Sequence, residues 1–178
     1  RITKYIPQLP ASDFKGTSLY LRYPDGDGYE VFSPFFTPTL KKLDRYECHV
    51  GLGYSTIISV YKGIKTEVTI FVPNGKEIEI RLIKITNTTD KPINIDAIPV
   101  VEYTHFDALK QYTNADWVPQ TMQSRASLDE QDYLTLSQFA FMRKETNINY
   151  FTANLAHDSF ETDRKVFLGA NEYGGWGN

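Results

Sequence analysis

DRYECHVGLGY, residues 44–54, decides the fold class when it is taken together with the alternation that follows it. In an extended backbone, Tyr46, Cys48, Val50 and Leu52 fall on one face and Arg45, Glu47 and His49 on the other. That is a strand pattern. Gly51 and Gly53 then mark a bulge or a point where another backbone comes close, because a side chain there would be in the way.

Strand-like segments recur downstream at short intervals. Residues 55–62 carry Ile57, Ile58, Val60 and Tyr61 and stop at Gly63, and residues 64–72 put Ile64, Thr66, Val68, Ile70 and Val72 on one side. Pro73-Asn74-Gly75-Lys76 supplies a fixed φ followed by residues that tolerate positive φ, so it closes a hairpin onto a strand beginning at Glu77. That strand, 77–86, sets Ile78, Ile80 and Leu82 against Glu79 and Arg81. After the turn at 88–92, another strand starts at Ile93, with Ile95, Ala97, Pro99 and Val101 opposed to Asn94, Asp96 and Ile98. The expectation is an all-β protein, an antiparallel meander with one wet and one dry face folded as a β-sandwich, with one or two short helices.

Towards the amino terminus, residues 1–16 contain Pro7 and Pro10 without a period and read as an irregular lead-in to a domain spanning 17–178. Residues 17–23 and 29–33 form a hairpin about the turn at 24–28. Asp25 and Asp27 alternate with glycine as in a calcium loop, but the twelfth position counted from Asp25 is Phe36 rather than a closing Glu, which favours a plain turn. Towards the carboxyl terminus, residues 133–142 read as a strand with Leu134, Leu136, Phe139 and Phe141 inward, and 149–155 as its partner. Residues 158–169 have a helix-like start capped by Ser159 or Asp158.

Between these lies a different texture. Residues 102–112 are polar and aromatic without alternation, and 113–125, TNADWVPQTMQSR, read as a loop dense in amide, indole, acid and guanidinium groups. Two readings stand: a polar connection with Trp117 tucked against the sandwich, or a carbohydrate-contacting loop. In the second, the Trp117 face stacks on a sugar ring while amides and guanidinium pair with hydroxyls or an anion.

Composition bounds the rest. The 178 residues make one domain, with 12 Tyr and 11 Phe against 2 Met, a balance that suits a pleated surface. A net charge of −3 without a basic cluster argues against a nucleic-acid surface. Cys48 has no second cysteine to pair with, which points to the cytoplasm, and these residues hold neither an apolar run long enough to span a membrane nor a leader pattern. The start at Arg1 and the loop-like end suggest a piece of something longer. Catalytic patterns are missing: His49, His105 and His157 have no metal-ligand spacing, and there is no nucleophile elbow or phosphate loop. No catalytic or metal-binding residue is assigned.

The block Tyr46-Glu47-Cys48-His49-Val50-Gly51-Leu52-Gly53-Tyr54, the later Phe71-Val72-Pro73 and Thr86-Asn87-Thr88, and Phe160-Glu161-Thr162-Asp163-Arg164 with Phe167-Leu168-Gly169 resemble the amino-terminal domain of the cellobiose and cellodextrin phosphorylases. These make up family 94 of the glycoside hydrolases, also called the glycosyltransferase 36 type. The resemblance covers residues 29–169 in order, and the YEC-x-x-GLGY block is its most specific part.

The resemblance implies a galactose-mutarotase-like supersandwich ahead of a carboxyl-terminal (α/α)6 barrel. In that family the barrel carries the general acid, and inorganic phosphate is the co-substrate, attacking a β-linked oligosaccharide with inversion to give a sugar 1-phosphate; no cofactor is needed. It further implies a homodimer in which this domain lends a loop to the rim of the partner's active site. The corresponding stretch here is 113–125, which makes Trp117, Gln120, Gln123 and Arg125 candidates for that rim. A stand-alone carbohydrate-binding or structural sandwich, and a domain of a cyclic β-1,2-glucan synthase, are the competing expectations.

Overall fold

The computed structural model describes residues 17–101, 122–140, 148–163 and 166–167; the lead-in at 1–16 and the 102–121 stretch lie outside the described residues. The described strands are β1 (Thr17–Asp25), β2 (Gly28–Phe32), β3 (Arg45–Gly51), β4 (Tyr54–Tyr61), β5 (Ile64–Phe71), β6 (Ile80–Asn87), β7 (Asp96–Val101), β8 (Met122–Leu128), β9 (Leu134–Ala140) and β10 (Ile148–Thr152). They form sheets in the orders β2-β1-β7, β3-β4-β5-β6 and β10-β9-β8. Two compact units result, one centred on Ser18–Pro99 and the other on Val100–Gly174. The all-β antiparallel expectation holds.

In the first unit two sheets enclose the core. Leu19, Leu21, Tyr23 and Phe32 from β1 and β2 cluster with Tyr61, Ile64 and Val68 from β4 and β5, and Ile93 and Ile95 pack against them. The first half of β1 is buried on both faces, Ser18 and Tyr20 as well as Leu19 and Leu21, while Arg22 is exposed. The hairpins follow their turn chemistry. Lys62 and Gly63, with φ of 47° and 82°, make the two-residue left-handed turn that matches the strand twist between β4 and β5. The Gly63 carbonyl accepts from both the Thr88 amide (2.8 Å) and the Thr88 hydroxyl (2.7 Å), tying the next loop to that turn.

β3 keeps the face division expected from the sequence. Tyr46, Cys48 and Val50 pair with Ser59, Ile57 and Ser55, on the face that continues through Val68 to the core. Yet β3 is an edge strand, and Val50 is 78% exposed. The close approach at Gly51 comes from a side chain rather than a backbone, since a Cβ there would run into the Tyr54 ring.

Several expectations need correction. β6 starts at Ile80, not Glu77, and the pairs Val68↔Ile83 and Thr66↔Ile85 put Ile83 and Ile85 on the core-side face, opposite Ile80 and Leu82. The eight-residue loop at 72–79 sets a different register from a tight hairpin, and in a strand one position of slip reverses every side chain. The meander ends with β6: residues 93–95 are not strand, and β7 joins β1 in the other sheet, with Ile98 and Val100 more buried than Ala97 and Pro99. Leu136 and Phe139 lie on opposite faces of β9, three positions apart. Residues 122–125, expected as loop, open β8. The helix start also moves. Glu161 takes up the amides of Thr162 and Asp163, and Asp163 Oδ1 then accepts the amide of Val166 at 3.2 Å, so Asp163 caps the helical turn at Val166 and Phe167 in place of Ser159 or Asp158.

The core assignment predicts a contrast measurable by urea unfolding. Phe32→Ala, at a fully buried position, should cost about 3–5 kcal/mol, and Val50→Ala, on the same sandwich but exposed, less than about 0.5 kcal/mol.

Candidate functional site

Displayed chemistry concentrates in two places, one in each unit. In the first unit Glu30, near the middle of β2, lies under the β4–β5 turn. Its Oε1 is 2.9 Å from Lys41 Nζ and accepts the Tyr61 hydroxyl at 3.2 Å; its Oε2 accepts Lys62 Nζ at 2.9 Å. Lys62 also reaches Asp25 at 3.5 Å, and its amide donates to Asp44 Oδ2 at 2.8 Å. Burial works against a charge on Glu30, but the bonds from Lys41 and Lys62 outweigh it and hold the carboxyl down at about 2. The Lys62 ammonium is correspondingly raised, chiefly by its bond to Glu30. Burial pushes the nearby Tyr23 phenol up to about 12, and its hydroxyl has no hydrogen-bond partner among the described residues.

This group is a poor catalyst. A carboxylate held at about 2 is a weak base at neutral pH, and a phenol near 12 is a weak acid there. The lysines are occupied by the same acid. The cluster instead pins β2, the β4–β5 turn and the segment entering β3 to one another. Sequence reading missed it because Glu30, Lys41 and Lys62 are far apart in the chain and none stands in a motif.

The two described histidines belong to no metal-binding group. His49 Nε2 meets Glu47 Oε2 at 3.1 Å and Arg45 bonds the other Glu47 oxygen; on this edge strand Arg45 and His49 are exposed and Glu47 half-buried. His157 lies beside Phe160 with ring centroids 6.1 Å apart, and His105 falls outside the described residues. Among the described residues no group of three or more His, Cys, Asp or Glu is close enough to hold a metal ion. Asp25 and Asp27 flank and occupy the tight β1–β2 turn, with Gly26 at φ 61°.

The second place is one face of the β8–β9–β10 sheet. Of the four rim candidates, Trp117 and Gln120 lie outside the described residues, while Gln123 and Arg125 stand two positions apart on β8 and share a face. Gln123 pairs with Phe139 and then Ile148; Arg125 pairs with Ser137 and then Tyr150; Ser127 pairs with Thr135 and then Thr152. The Arg125 guanidinium lies 4.9 Å from the centroid of the buried Phe139 ring and makes no ion pair among the described residues. Gln123 and Arg125 are exposed, and Tyr150 is 62% exposed. Such a surface offers a ring face, planar donors and hydroxyls side by side. Tyr150 could have been suspected only from the pairing of β9 and β10, which fixes its row.

The architecture defines an antiparallel β-sandwich with a polar and aromatic sheet face. The model for the family described as "Glycosyl hydrolase 94, supersandwich domain" matches residues 1–178, and the chain belongs to that family. It is 30% identical over 174 residues to an N,N'-diacetylchitobiose phosphorylase of Vibrio furnissii, an alignment covering 95% of this chain and 21% of that protein. An N,N'-diacetylchitobiose phosphorylase of Vibrio proteolyticus is 31% identical over the same shares of both chains. A solabiose phosphorylase of Paenibacillus borealis is 27% identical over 165 residues, 89% of this chain and 20% of that protein. The chain thus spans about a fifth of the length of these relatives. The expected family stands. The relatives are named for N,N'-diacetylchitobiose and solabiose rather than for cellobiose or cellodextrin.

The Glu30 brace makes a pH prediction. Its folded carboxyl, at about 2, lies below the ordinary 4.5, so its stabilisation is complete above about 4.5 and lost as pH falls towards 2. Glu30→Gln should lower stability by about 1–3 kcal/mol at pH 7, and the gap in urea midpoint between wild type and variant should close between pH 4.5 and 2.

Proposed function

We propose that this chain is the non-catalytic amino-terminal supersandwich of an inverting glycoside phosphorylase. The whole protein cleaves a β-linked gluco-disaccharide or oligosaccharide with inorganic phosphate and releases a sugar 1-phosphate. The observation that carries this reading is the family match over 178 residues, with relatives named as phosphorylases of which the chain is about a fifth. Phosphate is itself the nucleophile in such a reaction, so one protein acid suffices to protonate the leaving sugar, in contrast to the two carboxylates of inverting hydrolases. That acid belongs to a helical (α/α)6 barrel following the sandwich, and no cofactor takes part. The lack of a poised acid–base pair in the Glu30 cluster suits a supporting role. The domain contributes to a homodimer and borders the partner's sugar site through Trp117, Gln120, Gln123 and Arg125. The enzyme works in the cytoplasm, where phosphate and the sugar phosphate are held.

The reading is tested on the full-length parent protein, incubated with phosphate and cellobiose, a longer cellodextrin, N,N'-diacetylchitobiose or solabiose while sugar 1-phosphate is followed. Release from one sugar or a narrow set is expected; a folded parent that releases none from any of them would leave a plain carbohydrate-binding sandwich. For the rim, Trp117→Ala and Arg125→Ala in the parent should each change the preference among acceptor sugars in the synthetic direction by about tenfold, equivalent to about 1.4 kcal/mol. Unaltered turnover and preference in both variants would remove these residues from the rim.

A further inference from the structure

In the register of β8, β9 and β10, Arg125, Ser137 and Tyr150 form one row across three hydrogen-bonded strands, all on the same face. Neighbouring strands lie about 4.8 Å apart, so the outer two backbones are roughly 10 Å apart, with the small Ser137 between them. A large planar group stands on each side of a shallow floor. We propose that this row is a saccharide-binding surface in which Tyr150 is the stacking platform for a pyranose ring, and Arg125 with Gln123 the hydrogen-bonding arm. It rests on the phosphorylase reading only for the choice of ligand, a β-linked disaccharide.

Three features argue for a sugar. Tyr150 keeps 62% of its surface exposed, a ring face that can meet the C–H face of a pyranose. The Arg125 guanidinium sits 4.9 Å from the Phe139 centroid, a cation–π contact that restrains the side chain before any ligand arrives and lowers the entropy lost on binding. The hydroxyls of the face donate to strand carbonyls, Ser137 to Arg125 at 3.5 Å and Thr152 to Leu134 at 2.9 Å, which leaves their lone pairs as acceptors. A sugar hydroxyl needs both a donor and an acceptor. Arg125 and Gln123 supply the one, Ser137 and Thr152 the other. The chain's net charge of −3 disfavours an anionic polymer as the occupant.

The experiment titrates the 178-residue chain with N,N'-diacetylchitobiose and with cellobiose, without phosphate, by saturation-transfer NMR. Binding of at least one sugar is expected, weakened about tenfold by Tyr150→Ala and by Arg125→Ala and retained by Tyr150→Phe. Circular dichroism of the Tyr150 variants should show a folded chain, since that side chain is 62% exposed. In the parent, Tyr150→Ala should raise KM about tenfold with kcat unchanged. A folded chain that binds neither sugar, or variants that bind as wild type does, would overturn the proposal. Sugar 1-phosphate release by the parent is scored separately. Release without binding by the chain sinks this surface alone, and binding without release sinks the phosphorylase reading alone.

Discussion

The first unit depends on one burial event: Phe32 and Leu21 of the β2-β1-β7 sheet against Val68 and Ile64 of the β3-β4-β5-β6 sheet. Every other feature of that unit is arranged so that this contact can form. The left-handed turn at Lys62 and Gly63 returns β5 beside β4 in the register that puts Val68, Thr66 and Ile64 on the inner face. The departure of β7 from the meander gives β1 a second hydrogen-bonded neighbour. All four polar side chains buried among the described residues of this unit, Ser18, Ser33, Ser59 and Thr66, are small hydroxyls, which cost less to desolvate than charges.

Charge is used at the margin of that core. Glu30 sits where the apolar cluster meets solvent and collects two ammonium groups and a phenol, an arrangement whose strength comes from partial burial and multiple partners. Exposed pairs such as Arg22 with Asp96, or Arg45 with Glu47, have the same geometry but far less consequence, because water screens them. Membership of the glycosyl hydrolase 94 supersandwich family fits a domain whose acids are invested in holding loops in place.

The second unit presents its chemistry differently. A flat sheet face has no walls, so recognition there rests on the spacing of side chains across strands and on how firmly each is held. Arg125 over Phe139 is the clearest instance, a long side chain restrained by an aromatic support. Trp117 and Gln120 lie outside the described residues, and their relation to that face belongs to the proposal.

Much of this was legible in the chain, and the boundary is physical. Period-two alternation and the residues of tight turns act over a few positions, so Arg45 to Phe71 could be divided into β3, β4 and β5, with the face divisions of β3 and β5 as read, and the YEC-x-x-GLGY block pointed to the family. Beyond a longer loop the register passes to the partner strand, which is why β6 turned out with Ile85 against the core and β7 with Ile98 and Val100 more buried than Ala97 and Pro99. The capping role of Asp163 was settled by Glu161 taking up the preceding amides, and β8 by its pairing with β9. Local steric and hydrophobic preferences, all short in range, determined the strands, the sandwich class and the family. Tertiary structure alone decided which strands are neighbours, and therefore that Glu30 meets Lys62 and that Arg125 shares a row with Tyr150, because those meetings depend on pairing across residues the sequence does not order.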